Sequence, residues 1–134
     1  MCWCSAVAVV ALGLFRGDRF SYARALYSPR APTSVVCERV AEELGCVERL
    51  ERRFEMVIEG VGSVEILGVC AVDRAIIDGQ LVEVPVAIHV AKMPMGSEFD
   101  AVIGRDLDLA WRLYLDPLTN SVRSLVARPI ERRY

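Results

Sequence analysis

At 134 residues, with 54% hydrophobic and 25% charged side chains, the chain has the size and composition of one folded domain and excludes a disordered segment. A net charge of −2 excludes a domain that holds nucleic acid by bulk electrostatics. The cations are uneven, Lys92 being the sole lysine among arginines, and no function follows from that.

The cysteines are Cys2, Cys4, Cys37, Cys46 and Cys70, an odd number with no CxxC pair. Neither a disulfide framework nor a closed zinc site is expected, and Cys2-Trp3-Cys4 supplies only two thiols. Free thiols, no metal and no cofactor are the expectation. The apolar run over residues 5–15 has no basic segment before it and is too short to cross a bilayer, so a cytoplasmic protein without a membrane partner is expected.

In chain order, residues 6–15 predict a Val-rich strand buried on both faces. Arg16-Gly17-Asp18-Arg19 turns it into a second strand, residues 20–27, where Phe20, Tyr22, Arg24 and Leu26 alternate imperfectly. Ser28-Pro29-Arg30-Ala31-Pro32 breaks regular structure, since two prolines remove donors and fix φ. A short extended piece, residues 33–36, precedes a helix over 38–44 with Val40, Ala41 and Leu44 on one face and Gly45 at its C′ position.

Residues 49–53 are charge-rich and predict a solvated connection. Hairpins follow: Gly60-Val61-Gly62 is a tip between residues 54–58 and 64–72, and Asp78-Gly79 suits a two-residue turn. Val82, Val84, Val86, Ile88 and Val90 then alternate with Glu83, Pro85, Ala87 and His89, predicting one half-buried strand at an edge or beside a bulge. His89, the lone histidine, has no serine or cysteine partner set by any motif, so it is read as structural, and Asp78 as a turn residue.

Ala101-Val102-Ile103 is a short apolar run suited to a strand buried on both faces. Gly104 permits a sharp turn. Asp106 is expected to cap a helix carrying Leu107, Ala110 and Trp111 on one face, with Asp108 and Arg112 off it, and Asp100 to brace the preceding loop. Strands over 113–115 and 121–126 and a basic tail, residues 127–134, complete a single domain, residues 1–134. The whole reads as mostly β, with about eight strands and two short helices.

The run Ala101-Val102-Ile103-Gly104-Arg105-Asp106-Leu107, followed by Leu115-Asp116-Pro117, resembles the C-terminal half of retropepsin-like aspartic proteases. Upstream, Ala25-Leu26-Tyr27, Thr33-Ser34-Val35-Val36 and Val40-Ala41-Glu42-Glu43-Leu44-Gly45 resemble that family's first half, and a Gly-containing hairpin stands where the family has its flap. The resemblance spans nearly the whole chain in order. It implies an acid-protease fold, a closed barrel or sandwich with two short helices.

The chain departs from the family where the family carries Asp-Thr/Ser-Gly-Ala. Ser28 stands at the catalytic aspartate, Pro29 at the bracing Thr or Ser, Arg30 at the glycine, and Ala31 follows. Hydrolysis at such a site needs two carboxylates, one per subunit, sharing a proton. A serine hydroxyl does not titrate usefully, and proline has neither hydroxyl nor backbone N–H.

The resemblance thus implies no catalytic residue. It implies a homodimer whose cleft, with Arg30, Gly60, Val61 and Gly62 on its walls, binds a peptide or protein segment or serves as a scaffold. Ile103, Gly104, Arg105 and Asp106 become a structural buttress behind it. The competing readings are an active aspartic-type peptidase using an unrecognised acid, and an assembly or regulatory subunit of a larger complex.

Overall fold

Central strands of this chain bury both faces, and that follows from alternation of side chains along each strand. The computed structural model describes residues 8–46 and 48–128. Among them are β1 (Ala8–Arg16), β2 (Arg19–Tyr27), β3 (Val35–Cys37), α1 (Glu38–Glu43), β4 (Arg49–Ile58), β5 (Gly62–Val72) and β6 (Arg74–Ile77). There follow β7 (Gln80–Val82), β8 (Val86–Lys92), β9 (Ala101–Ile103), α2 (Arg105–Ala110), β10 (Leu113–Asp116) and β11 (Ser121–Ser124).

Ala101 and Ile103 of β9, Val36 of β3 and Ile88 of β8 point into the larger core, with Trp111 and Leu107. Val102 and Val35, their neighbours in sequence, and Ala91 of β8 point into a second core with Leu26, Ile58 and Ile66. The mostly β domain with two short helices is as expected, although the described strands number eleven rather than about eight.

The closed barrel or sandwich is overturned. Among the described residues, nine strands form one open sheet in the order β4-β5-β8-β3-β9-β2-β1-β6-β7, and β10 pairs only with β11. The two outer strands are not suited to meet each other. Arg49, Glu51, Arg52, Arg53 and Glu55 crowd β4 with exposed charge, a common guard against edge pairing. At the other end, Arg128 exchanges backbone hydrogen bonds with Leu81 of β7.

Several local expectations also change. Residues 49–53 are not a solvated connection but the first half of edge strand β4. In β2 the small residues Ser21, Ala23 and Ala25 face the core, while Phe20 and Tyr22 are about half exposed. Phe20 instead lies across Gly13 of β1, where a Cβ would come within 2.8 Å of its ring. The start of β1 is half-buried rather than buried on both faces, with Val9 and Ala11 exposed. Pro85 splits the expected strand over 82–90 into β7 and β8, though its inward side still alternates with its outward side. Ala110 is exposed, leaving Leu107 and Trp111 to anchor α2. Residues 6 and 7 of the expected first strand, Cys2, Cys4 and residues 129–134 lie outside the described residues.

Gly45 follows α1 with φ 74°, as its C′ position requires. Asp78 and Gly79, at φ 44° and 83°, form the two-residue turn between β6 and β7. The Asp78 carboxylate also accepts from Ala11 N and Val122 N, both at 3.0 Å, tying β1 to β11. Among the described residues, no helix is long and apolar enough to cross a membrane.

The central strands set up the site. β9 lies between β2, to which it runs parallel, and β3, to which it runs antiparallel. Tyr27 pairs with Ile103 at the ends of β2 and β9, so Ser28 and Gly104 leave the sheet side by side. The chain over residues 28–34 must then cross the end of β9 to reach β3.

Candidate functional site

Four consecutive residues after the middle of β9 hold this crossing loop. Ile103 O accepts from Ser28 N at 2.9 Å, and Arg105 N donates to Ala31 O at 2.7 Å. A Cβ on Gly104 would lie 2.7 Å from Ala31 O and 2.8 Å from Thr33 C and O, so only glycine lets the loop pass this closely. Asp106 Oδ1 accepts from Ser34 N at 2.9 Å and from Ser34 Oγ at 2.5 Å. Ser34 Oγ in turn accepts from Gly104 N at 2.7 Å. All three polar groups are thereby satisfied within a buried corner.

This corrects the expected role of Asp106. The N-cap of α2 is Gly104, with no side-chain cap, and Asp106 lies within the first turn. Its Oδ1 does accept from Leu107 N at 2.8 Å, but its main task is to fasten the start of β3 to the start of α2. Asp100 ties β2 to α1 rather than bracing the preceding loop: its Oδ2 accepts from Arg24 N at 3.0 Å and pairs with Arg39 at 3.3 Å.

Ser28 itself is buried, Pro29 half-buried and Arg30 exposed. Ala31 N donates back to Ser28 O at 3.0 Å, closing a tight turn. Among the described residues, neither Arg30 nor Arg105 takes part in an ion pair, whereas Arg24, Arg39, Arg53 and Arg128 all do.

The tip of the β4–β5 hairpin closes through Val61 N donating to Ile58 O at 3.0 Å. Gly60 approaches Leu26 and Gly62 approaches Pro94. Val61 packs on the second core, which also contains Ala31, and this joins the hairpin tip to the crossing loop. Gly60 and Val61 share an open recess with Pro94, Met95, Ser97 and Phe99. Arg30 and Gly62 are not on its wall. The contribution of residues 94–99 to that wall had no signal in the sequence beyond a Pro- and Gly-containing loop.

Two further groups were not anticipated. Tyr27 Oη donates to Asp108 Oδ1 at 2.5 Å, joining β2 to α2. Burial, reinforced by that hydrogen bond and the charge of Asp108, pushes the Tyr27 phenol well above its ordinary value. Cys46 and Cys70 form a disulfide, so the expectation of free thiols fails for this pair, while Cys37 is free among the described residues. His89 is half-buried with its ring roughly perpendicular to that of Phe54, and its Nδ1 has no hydrogen-bond partner among the described residues. Among the described residues, no group of acidic, His and Cys side chains could hold a metal ion.

No family model matches the chain, and no curated protein matches it. Among solved structures, the retroviral protease-like domain of Ddi1 from Leishmania major superposes with a TM-score of 0.62. The match covers 93% of this chain and 94% of that one, at 21% identity. The fold is retropepsin-like. At that level of identity the likeness extends to the fold and carries no activity with it, so the crossing loop has to be judged on its own chemistry.

Proposed function

We propose that the chain is a catalytically inactive retropepsin-like domain that pairs with a second copy and binds an extended peptide or protein segment. The observation that carries this reading is the crossing loop: where the fold brings a catalytic aspartate to the end of β2, this chain has Ser28-Pro29-Arg30-Ala31. No carboxylate is available there to share a proton or activate water.

The loop is held by Ser28 N donating to Ile103 O and Arg105 N donating to Ala31 O. Ile103, Gly104, Arg105 and Asp106 serve as its buttress. With C2 pairing, two crossing loops and two β4–β5 hairpins enclose a cleft walled by Arg30, Gly60, Val61 and Gly62. An extended segment gains main-chain hydrogen bonds there by strand addition. Arg30, exposed and without an ion pair among the described residues, favours an acidic side chain or a C-terminal carboxylate, which guanidinium binds in a bidentate manner.

Sedimentation and fluorescence anisotropy test this together. The expected result is a dimer at micromolar concentration that binds an acidic peptide roughly tenfold tighter than its neutral counterpart, a preference removed by Arg30→Ala. A monomer removes the cleft altogether. A dimer with no acidic preference, unchanged by Arg30→Ala, overturns the assignment of the ligand.

A further inference from the structure

We propose that the Cys46–Cys70 pair is a thiol–disulfide exchange site that fastens the base of the β4–β5 hairpin and is opened by a dithiol reductant. The bond joins the segment after α1 to β5, with Cα atoms 5.4 Å apart, across a sequence separation of 24 that encloses all of β4 and the hairpin tip.

Backbone pairing at the hairpin base is sparse. The carbonyl of Glu48 sits where a Cβ on Gly68 would stand, and it accepts from Val69 N at a long 3.4 Å. Arg49 pairs with Gly68, but the ladder then breaks and resumes only at Phe54 opposite Ile66. Residues 50–53 therefore bulge opposite Leu67, with Leu50 on the second core and Arg53 paired to Glu65, while Glu51, Arg52 and Arg53 are exposed. The disulfide anchors this irregular stretch on its N-terminal side, three residues before Arg49.

The two sulfurs differ in access. Cys70 is buried in the larger core, whereas Cys46 is half-buried and lines a surface recess with Glu42, Glu48 and Gly68. A donor thiolate attacks Cys46 Sγ, forming a mixed disulfide and releasing Cys70 as a thiolate that takes a proton from water. The second donor thiol, deprotonated, then displaces the Cys46 thiolate, which is protonated in turn. Two electrons and two protons pass from the dithiol, which becomes a disulfide, to the Cys46–Cys70 pair. In a reducing compartment such a bond forms only transiently, as regulatory disulfides do.

Limited trypsin digestion of the full chain, with fragments identified by mass, tests the proposal. Air-oxidised protein should have the intact mass of one disulfide between Cys46 and Cys70. Dithiothreitol should speed cleavage after Arg49, Arg52 and Arg53 at least tenfold while cleavage after Arg24, in the middle of the sheet, stays slow. Cys46→Ser should match reduced wild type without reductant. Absence of the bond in oxidised protein, equal cleavage rates with and without reductant, or parallel acceleration after Arg24 would each overturn the proposal. The last would mean that reduction unfolds the whole chain rather than releasing the hairpin base.

Discussion

Ser34 and Asp106, 72 residues apart in sequence, are joined twice: Ser34 N and Ser34 Oγ both donate to Asp106 Oδ1. This double contact fixes the start of β3 to the first turn of α2, and the crossing loop is suspended between them. The same hydroxyl accepts from Gly104 N, so one buried serine satisfies groups on both sides of the loop.

Ser34→Ala should cost about 2 kcal/mol of stability, since it leaves the Gly104 N–H without an acceptor and removes one donor from Asp106. Urea unfolding should show a lower midpoint with an unchanged slope. An unaltered midpoint would mean that the corner is held by packing alone.

Gly104→Ala should be more costly, about 3 kcal/mol, through sterics alone. Its φ of −96° is ordinary for any residue, but the new methyl would meet the backbone of Ala31 and Thr33, which cannot move without displacing the loop. Thermal unfolding of the variant against wild type measures this, and a loss below about 1 kcal/mol would show that the loop shifts freely.

Tyr27→Phe should cost about 1.5 kcal/mol at neutral pH by removing a buried hydrogen bond to a carboxylate. The two proteins should converge in strongly alkaline solution. In the unfolded chain the phenol loses its proton near pH ~10, while the folded phenol keeps it. The unfolded state therefore binds fewer protons above that pH, and the wild-type advantage is present below it and declines as pH rises further. Melting temperatures of both proteins between neutral and alkaline pH check this, and a constant difference throughout would contradict it.

Much of the arrangement around β9 was legible in the sequence because its signals are local. Three apolar residues bounded by Gly104 specify a strand and a turn, Gly45 marks the end of α1, and Asp78-Gly79 marks a hairpin. What escaped was non-local. Asp106 has the look of a helix cap, and only the fold brings Ser34 to it. Cys46 and Cys70 lack any spacing motif, and their pairing depends on Glu48 and Gly68 running side by side. The charges of residues 49–53 suggest solvent, and they do face it, but from an edge strand rather than a connection. Whether the sheet closes depends on the two outermost strands, β4 and β7, whose relative placement no local pattern encodes.

The central claim is that a retropepsin-like fold persists here without its catalyst. It is tested most directly by incubating the purified chain with an unfolded protein substrate at acid and at neutral pH, with and without a pepstatin-type inhibitor. The account predicts no inhibitor-sensitive cleavage at either pH, because Ser28 offers no carboxylate at the end of β2. Cleavage that the inhibitor abolishes would contradict it.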